Sequence, residues 1–334
     1  MGMSKSIPMV KQPRDKIVIV TGANTGIGYE TAKFIAMMGA HVIIACRSED
    51  RAKDAIRRMN EEFQREKQLG VDNIIDDDEL GVEFMQCDLA SLKSTQTFID
   101  TFKAKYKRLH VLICNAGVYS PDQVTTEDKY DLTFQVNYLS HFLIVAHLIP
   151  TLKNSGEDCR IVLVSSEAHR MAGSFDTDYA AGKIPQSYSA FKMYAKTKQY
   201  QIMQMYCIDK VIEKSSVEIC CVHPGFVKSD LFRHENGCCF GCVLCCCTCL
   251  CRMKSPHQGA ATSIYAAITP DLNGMSRAYY VHSKSAPKWP SSESRNEELQ
   301  IYLFENTKEL LEQYLPPEIM QELELTPKAT KSGR

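Results

Sequence analysis

Short apolar segments alternate with longer segments of helical periodicity along most of the 334-residue chain. The apolar segments are rich in β-branched residues and predict strands at 17–20, 41–45, 82–86, 109–114, 160–164 and 217–222. The segments between them predict helices at 26–38, 48–67, 91–107, 122–152 and 188–213. Nearly continuous apolar strands separated by helices are typical of a parallel sheet covered on both faces. Since such crossovers are right-handed, we predict an α/β fold with a doubly wound parallel sheet, the Rossmann fold.

Two segments interrupt this alternation. An acidic stretch at 68–81 predicts a surface loop. A cysteine-rich stretch at 232–256 predicts an insertion on the substrate side of the sheet. Beyond the insertion, the pattern predicts helices at 257–269 and 294–315 and a strand at 278–281.

Neither an internal repeat nor a linker divides the chain, so we expect a single domain over 15–315 between an N-terminal tail (1–14) and a C-terminal tail (316–334).

The net charge is −1, and without a basic excess to neutralise phosphates we expect no nucleic-acid partner. The sequence contains no uncharged apolar run of about 18 residues, the length that a transmembrane helix needs. The N-terminal residues also lack the apolar segment of a secretory signal. We therefore expect a cytoplasmic protein.

The first strand is followed by TGANTGIG, which predicts a phosphate-binding turn. Its three glycines allow a tight turn in which backbone N–H groups approach a pyrophosphate, and the N-terminus of the next helix favours negative charge. A glycine triplet alone also fits an ordinary turn, but its place between a strand and a helix indicates a dinucleotide site. The cofactor contacts expected from this turn are Gly22, Asn24, Thr25, Gly26, Ile27 and Gly28.

The end of the second strand indicates which dinucleotide is bound. A site selective for NAD(H) offers Asp or Glu there to the ribose hydroxyls, whereas this chain has Ala45-Cys46-Arg47. The guanidinium of Arg47 can instead bind the 2′-phosphate of NADP(H). The alternative is a solvated loop arginine. We expect NADP(H) as the cofactor, with NAD(H) less favoured.

Further motifs follow in order: Cys114-Asn115-Ala116-Gly117 after the fourth strand, Asn137 in FQVNYLSHF, Ser165-Ser166 after the fifth strand, and a Tyr-x-x-x-Lys pair. Together with the TGxxxGxG turn, they resemble the short-chain dehydrogenase/reductase family over roughly residues 15–315. Segments such as VSSEAHR and HQGAATSIYAA resemble its retinol dehydrogenase-like subgroup. They are also similar to the oxidoreductase domain of the WW-domain-containing oxidoreductase. The resemblance adds expected cofactor contacts at Asp88, Leu89, Asn115, Ala116, Gly117, Pro224, Gly225 and Val227.

The resemblance implies a catalytic tetrad of Asn137, Ser166, Tyr194 and Lys198. In such sites a hydride moves between nicotinamide and a carbinol or carbonyl carbon, while the tyrosine transfers a proton at the oxygen. Because the ordinary pKa of tyrosine is about 10, we expect Lys198, one helical turn away, to lower the pKa of Tyr194 by its charge. Ser166 would hydrogen-bond the reacting oxygen, and Asn137 would hold a water that connects the lysine to solvent. Tyr194 and Lys198 would also contact the cofactor.

A second pair, Tyr188 and Lys192, has the same spacing. Side chains six residues apart on a helix point in directions that differ by about 120°. At most one of the two pairs can therefore face the cofactor. The subgroup typically has a Tyr-Ser upstream of its catalytic pair, and Tyr188 takes that place. We therefore favour Tyr194 with Lys198 and expect Tyr188 to be a packing or substrate-pocket residue.

Two neighbouring positions need a choice as well. The subgroup pattern Val-Ser-Ser-x-Ala-His assigns the catalytic role to its second serine, which is Ser166, with Ser165 as the alternative. We expect His169, which ends this pattern, to lie at the surface without a chemical role.

The expected function is the interconversion of an alcohol and a carbonyl on a lipophilic substrate such as a retinoid, a steroid or a fatty aldehyde. The alternative is a catalytically idle NADP(H)-binding scaffold or sensor. Family members often form homodimers through helices that include the catalytic one, so a homodimer is a further expectation of the resemblance.

Two sequence features indicate lipid attachment and a peripheral position on a cytosolic membrane face. Met1-Gly2-Met-Ser-Lys-Ser6 matches the N-myristoylation pattern at Gly2, and one such chain binds membranes only marginally. The cysteine-rich insertion would supply a second signal if it were palmitoylated; a bare apolar flap and a zinc site are the alternatives. Adjacent cysteines would crowd one tetrahedral site, so we expect no metal. The candidate cysteines are Cys238, Cys239, Cys242, Cys245, Cys246, Cys247, Cys249 and Cys251.

Overall fold

The computed structural model describes residues 9–228 and 253–325, together with Ile7 and Leu231. Eight strands form its sheet: β1 Ile17–Thr21, β2 His41–Cys46, β3 Val82–Gln86, β4 Val111–Cys114, β5 Cys159–Val164, β6 Val217–His223, β7 Ala278–Val281 and β8 Lys284–Ser285. Their order is β3-β2-β1-β4-β5-β6-β7-β8. The first seven strands run parallel, and β8 pairs antiparallel with β7. This order confirms the predicted doubly wound α/β fold.

Helices cover both faces of the sheet. Their bounds are α1 Gly26–Met37, α2 Glu49–Gln68, α3 Leu92–Lys105, α4 Leu132–Lys153, α5 Thr177–Ala180, α6 Ala190–Ile212, α7 Pro256–Ile268, α8 Glu297–Leu310 and α9 Pro317–Glu322. Successive strand residues point to opposite faces, so β1 contributes Ile19 to one core and Val18 and Val20 to the other. Helices α1, α2 and α7 close the second core, and α3, α4, α6, α8 and α9 close the first.

The predicted helix at 122–152 begins ten residues later, and 122–131 is a loop rather than a helix. Asp131 determines the start, because its carboxylate accepts a hydrogen bond of 3.0 Å from the Phe134 N–H as a helix N-cap. The helix contains a π-helical turn at Gln135–Leu139. Helix α4 is long and apolar enough to span a membrane, but nearly all of it is buried inside the protein, as is typical of a core helix.

Both predicted tails contain residues that belong to the fold. At the N-terminus Ile7 is buried, and the Gln12 N–H donates a 2.8 Å hydrogen bond to the Met38 carbonyl. Beyond residue 315, helix α9 buries Ile319, and Leu323 follows it into the same core. Residues on both sides of the predicted bounds, 15 and 315, therefore pack against the fold. Apolar side chains within a mostly polar terminal sequence close the core on both sides.

We predict that Leu323→Ala lowers the free energy of unfolding by about 2–5 kcal/mol, because it leaves a cavity in the core. Urea unfolding followed by circular dichroism measures this effect. The matched control is Leu69→Ala, at a leucine that is 72% exposed, and it should change the free energy of unfolding by less than about 0.5 kcal/mol. Equal effects of the two substitutions would show that the segment beyond 315 contributes nothing to the fold.

Candidate active site

The predicted site residues lie where the parallel strands end. The turn after β1 carries the glycines, β2 ends next to Arg47, and the loop after β4 carries Asn115. Ser166 follows β5, and Pro224 follows β6. In open α/β sheets, ligands bind at this carboxyl edge, where the strand order reverses between β1 and β4.

The glycine turn lies against the loop after β4 too closely for larger residues. A Cβ atom added to Gly22, whose φ is +67°, would lie 2.9 Å from the Cα of Ala116. A Cβ atom added to Gly28 would clash with the Asn115 side chain and lie 2.6 Å from the Gly22 carbonyl. Helix α1 begins directly after this turn, so its free N–H groups face the same edge. The turn therefore fits a nucleotide pyrophosphate.

A buried threonine fixes the turn to the β4 loop. The Thr21 hydroxyl accepts 2.9 Å hydrogen bonds from the N–H groups of both Asn115 and Ala116. The Asn115 side-chain amide donates to the Thr21 carbonyl at 2.8 Å. The Thr21 hydroxyl also lies 2.9 Å from Nε2 of His141, whose pKa burial lowers to about 4. Nothing in the sequence around His141 indicates this contact, because its partner lies 120 positions away.

Arg47 lies exposed immediately after β2, and the next residue, Ser48, caps helix α2 by accepting from the Arg51 N–H. A second arginine also reaches the turn, and the sequence analysis missed it. The Arg58 guanidinium packs 4.6 Å from the ring centroid of Tyr29 and donates to the Asn24 carbonyl at 3.4 Å. The 3.6-residue period of α2 directs Arg58 towards α1, so the helical periodicity of the sequence could have predicted this contact.

The loop after β3 carries the predicted Asp88 and Leu89. The Asp88 carboxylate accepts a 3.0 Å hydrogen bond from the Ala90 N–H, which fixes the loop after β3. Leu89 is buried, and its carbonyl accepts from the Ser140 hydroxyl on α4 at 2.7 Å. Asp88 is thus held by its own loop, at the edge where the nucleotide is expected.

Ser166, Tyr194 and Lys198 lie together on the substrate side. The Ser166 hydroxyl hydrogen-bonds the Tyr194 side chain. The Ser165 hydroxyl is instead directed inwards and donates to the Lys198 carbonyl at 2.8 Å. This difference agrees with the choice of Ser166 over Ser165.

The Lys198 ammonium is buried beneath Tyr194. Its Nζ lies 5.6 Å from the Tyr194 ring centroid and donates to the Val164 carbonyl at 2.8 Å. Burial lowers the pKa of Lys198 to about 8. Burial also raises the pKa of Tyr194 to about 12, opposed by the Ser166 hydrogen bond. In this structure the Tyr194 pKa is raised, not lowered as expected, because burial disfavours the charged phenolate.

Asn137 lies in the π-helical turn and is fully buried. Its side-chain amide accepts from the Val118 N–H at 2.7 Å and donates to the Val118 carbonyl at 3.0 Å. It also donates to the Thr197 hydroxyl on α6 at 3.1 Å. A Cβ atom added to Gly117 would lie 3.4 Å from the Asn137 carboxamide oxygen and 3.7 Å from Nζ of Lys198. Asn137 thus joins the β4 loop to helix α6.

The competing pair is arranged differently. The Tyr188 hydroxyl donates to the Ser120 carbonyl at 2.6 Å, and Lys192 is exposed to solvent. The structure brings Tyr194 and not Tyr188 into hydrogen-bond contact with Ser166.

His169 differs from expectation, because it is buried rather than at the surface. Its Nδ1 lies 2.6 Å from the Ser166 carbonyl, and its Nε2 lies 3.3 Å from the Trp289 carbonyl. The ring connects the loop after β5 to the loop after β8. It therefore supports the backbone of Ser166, a role that a single sequence motif did not reveal.

The Pro224-Gly225 segment follows β6 and is held by the end of the cysteine-rich insertion. The Lys254 ammonium donates to the Pro224 carbonyl at 3.2 Å. The Lys254 N–H donates to the Phe226 carbonyl at 2.8 Å, and Val227 pairs with Lys254 in a short parallel bridge. Gly225 has a φ of +91°, and a Cβ atom there would lie 3.0 Å from the Lys254 side chain.

Several predicted residues lie outside the described residues. They are Gly2 and the cysteines Cys238, Cys239, Cys242, Cys245, Cys246, Cys247, Cys249 and Cys251. The seven cysteines that the structure describes are buried free thiols. Within that part of the chain, no group of three or more His, Cys, Asp or Glu side chains is arranged to hold a metal ion.

The sequence profile of the family described as short chain dehydrogenase matches residues 16–237. The chain belongs to the short-chain dehydrogenase family. Members are NAD(P)-dependent oxidoreductases that act on CH–OH groups, so the prediction of an enzyme is confirmed. The fold of this dehydrogenase is accordingly one that binds a nicotinamide cofactor.

Curated relatives of this dehydrogenase include a member of each predicted group and a polyprenol dehydrogenase. The WW domain-containing oxidoreductase of Gallus gallus is 36% identical over 320 residues, which are 92% of this chain and 71% of that protein. Polyprenol dehydrogenase of Homo sapiens is 36% identical over 288 residues, covering 83% of this chain and 80% of that protein. Retinol dehydrogenase 14 of Mus musculus is 34% identical over 277 residues, with coverage of 83% and 80%. The predicted resemblance is confirmed.

Solved structures show the same fold at lower identity. The crystal structure of L-sorbose reductase from Gluconobacter frateurii, complexed with NADPH and L-sorbose, has a TM-score of 0.60 and 18% identity to this dehydrogenase. The match covers 81% of this chain and 95% of that one.

Proposed function

We propose that this dehydrogenase interconverts an alcohol and a carbonyl on a lipophilic substrate with NADP(H), using Tyr194 as the acid and base. The observation that carries the proposal is the group formed by half-buried Ser166 with the buried Tyr194 and Lys198, at the same sheet edge as a turn shaped for a nucleotide pyrophosphate. The similarity to polyprenol dehydrogenase and retinol dehydrogenase 14 supports a lipophilic substrate. The similarity to a reductase solved with NADPH supports the cofactor class.

The residues around the edge fit the cofactor that the family implies. The glycine turn, the Asn115 loop and Pro224-Gly225 would hold the dinucleotide, and Arg47 would bind the 2′-phosphate. The bound cofactor supplies or accepts a hydride at the reacting carbon. The remaining chemistry is proton transfer at the substrate oxygen, which the side chains perform.

In carbonyl reduction, the Tyr194 phenol would donate its proton to the carbonyl oxygen as the carbon gains a hydride. Since burial raises the pKa of Tyr194 to about 12, the phenol is protonated at neutral pH and can act as an acid. The Ser166 hydroxyl would bind the same oxygen, and the Lys198 ammonium would stabilise the phenolate that remains.

The surroundings of Tyr194 are apolar, which supports a lipophilic substrate. A small cluster formed by Tyr119, Ala168, Ala172 and Ala195 packs around it, with Phe191 and Leu231 against the cluster. The ring centroids of Tyr119 and Tyr194 are 5.9 Å apart. An apolar wall beside the reacting hydroxyl excludes water and accepts an aliphatic or polyene chain.

We predict that Tyr194→Phe reduces turnover by at least about 10²–10⁴-fold while NADPH binding is retained, because the variant lacks only the transferable proton. Turnover is measured as NADPH consumption with retinal, a polyprenal, a steroid ketone and aliphatic aldehydes. Tyr188→Phe is the matched control and should keep most activity. If Tyr188→Phe lost activity and Tyr194→Phe kept it, Tyr188 and not Tyr194 would be the catalytic tyrosine. Tight NADPH binding by wild-type protein without turnover of any substrate would favour the idle sensor.

We predict that Arg47→Met weakens NADPH binding about ten- to a hundredfold and leaves NADH binding unchanged, because one charge-assisted contact to the 2′-phosphate is lost. Titration of cofactor fluorescence measures both dissociation constants. Arg57→Met is the control, since Arg57 is an exposed arginine on α2 that pairs with Asp54 and Glu61. An equal loss for NADPH and NADH would contradict 2′-phosphate recognition by Arg47.

We also propose that the enzyme works at a cytosolic membrane face, held there by lipid on Gly2 and on the cysteine-rich insertion. The support is the sequence of these segments together with the lipophilic substrates named for its relatives. Membrane fractionation of cells that express wild type, Gly2→Ala and a cysteine-to-serine variant of the insertion tests this. The wild type should sediment with membranes, and each variant should shift towards the soluble fraction. Soluble wild-type protein would end the proposal.

A further inference from the structure

We infer that Gln201 is a positioning residue of the active site, holding the Lys198 ammonium and the Asn137 backbone carbonyl at a fixed separation. The inference rests on the proposed function, because it assigns a partner to the lysine of that mechanism. Gln201 lies outside every motif of the sequence analysis.

Both ends of the Gln201 side chain are used. Gln201 is fully buried, and it follows Lys198 by three residues on α6, so the two side chains share a helix face. Its Nε2 donates to the Asn137 carbonyl at 3.0 Å, and its Oε1 accepts from Nζ of Lys198 at 3.3 Å. The chemistry fixes this orientation, because an ammonium only donates and a carbonyl only accepts.

The Asn137 carbonyl is turned towards side chains by the π-helical turn in which it lies. Besides Gln201, Nδ1 of His141 lies 3.2 Å from this carbonyl, and Nε2 of the same ring lies 2.9 Å from the Thr21 hydroxyl. All partners are satisfied when Nδ1 carries the proton of a neutral imidazole. Gln201 therefore ends a hydrogen-bonded path from the glycine turn to the catalytic lysine.

The arrangement differs from the water link that the family resemblance implies for the asparagine. A carboxamide neither gains nor loses a proton near neutral pH, so Gln201 positions the two groups and does not conduct a proton between them. Among the described residues, its carbonyl oxygen is one of two acceptors for the ammonium, the other being the Val164 carbonyl. An acceptor next to a buried cation favours the protonated form. Removing it should therefore make Lys198 lose its proton at lower pH.

A buried glutamine can also be only a structural residue, and a neighbour on the same helix separates the two roles. Gln204 lies one turn further along α6 and is equally buried. In the described part of the chain, neither its amide nitrogen nor its amide oxygen has a hydrogen-bond partner. Gln204→Met is thus a matched control for Gln201→Met, a substitution of similar size that removes both hydrogen bonds.

The decisive measurement is the pH profile of kcat/KM for carbonyl reduction. We expect Gln201→Met to move the alkaline limb to lower pH by about one unit, the order of effect of one hydrogen bond to a charged group. Gln201→Glu keeps the acceptor for Lys198 and adds negative charge, so it should move the same limb to higher pH. Gln204→Met should leave the limb in place. Coincident profiles for Gln201→Met and Gln204→Met would overturn the inference.

A second measurement needs no substrate and so remains decisive if the proposed function fails. A double-mutant cycle compares the urea unfolding midpoints of wild type, Gln201→Met, Lys198→Met and the double variant. At pH 7 Lys198 is protonated, and the two substitutions should be strongly non-additive. At pH 9.5, above the Lys198 pKa of about 8, that coupling should fall. Additive effects at both pH values would show that Gln201 does not hold the ammonium, whatever the enzyme reduces.

Discussion

The buried ammonium of Lys198 sets the requirement that the rest of the site meets. A cation that is 3% exposed is costly unless hydrogen-bond acceptors replace water. The Val164 carbonyl at the end of β5 and the Gln201 carboxamide on α6 provide them. Strand β5 lies at the centre of the parallel sheet between β4 and β6, so one acceptor is fixed by the fold itself. The charge is thus kept beneath Tyr194 by the two elements that pack together there.

Burial has opposite consequences for the two proposed catalytic groups. It lowers the pKa of Lys198 to about 8 and raises that of Tyr194 to about 12, because each loses the solvation of its charged form. The Tyr194 phenol therefore keeps its proton at neutral pH, whereas the neighbouring Lys198 ammonium loses its proton at a pH only slightly above neutral. In the proposed mechanism, this phenol gives its proton to the carbonyl oxygen.

Features encoded locally could be predicted from the sequence. Alternation of apolar runs and helices defined the sheet, and the glycines of the turn defined the nucleotide edge, since each depends on neighbours within a few residues. Contacts between distant residues could not be predicted. The His141–Thr21 and His169–Trp289 hydrogen bonds each join residues more than 100 positions apart. The π-helical turn was also missed, because periodicity over 122–152 does not distinguish a π turn from an α turn.

The end of the cysteine-rich insertion contacts the site through Lys254, whether or not its cysteines carry lipid. Val227 pairs with Lys254, so the insertion leaves and rejoins the fold at adjacent points. Lys254 also holds the Pro224 carbonyl, in the segment that is expected to contact the cofactor. Any group that moves Lys254 would therefore also move the Pro224-Gly225 backbone.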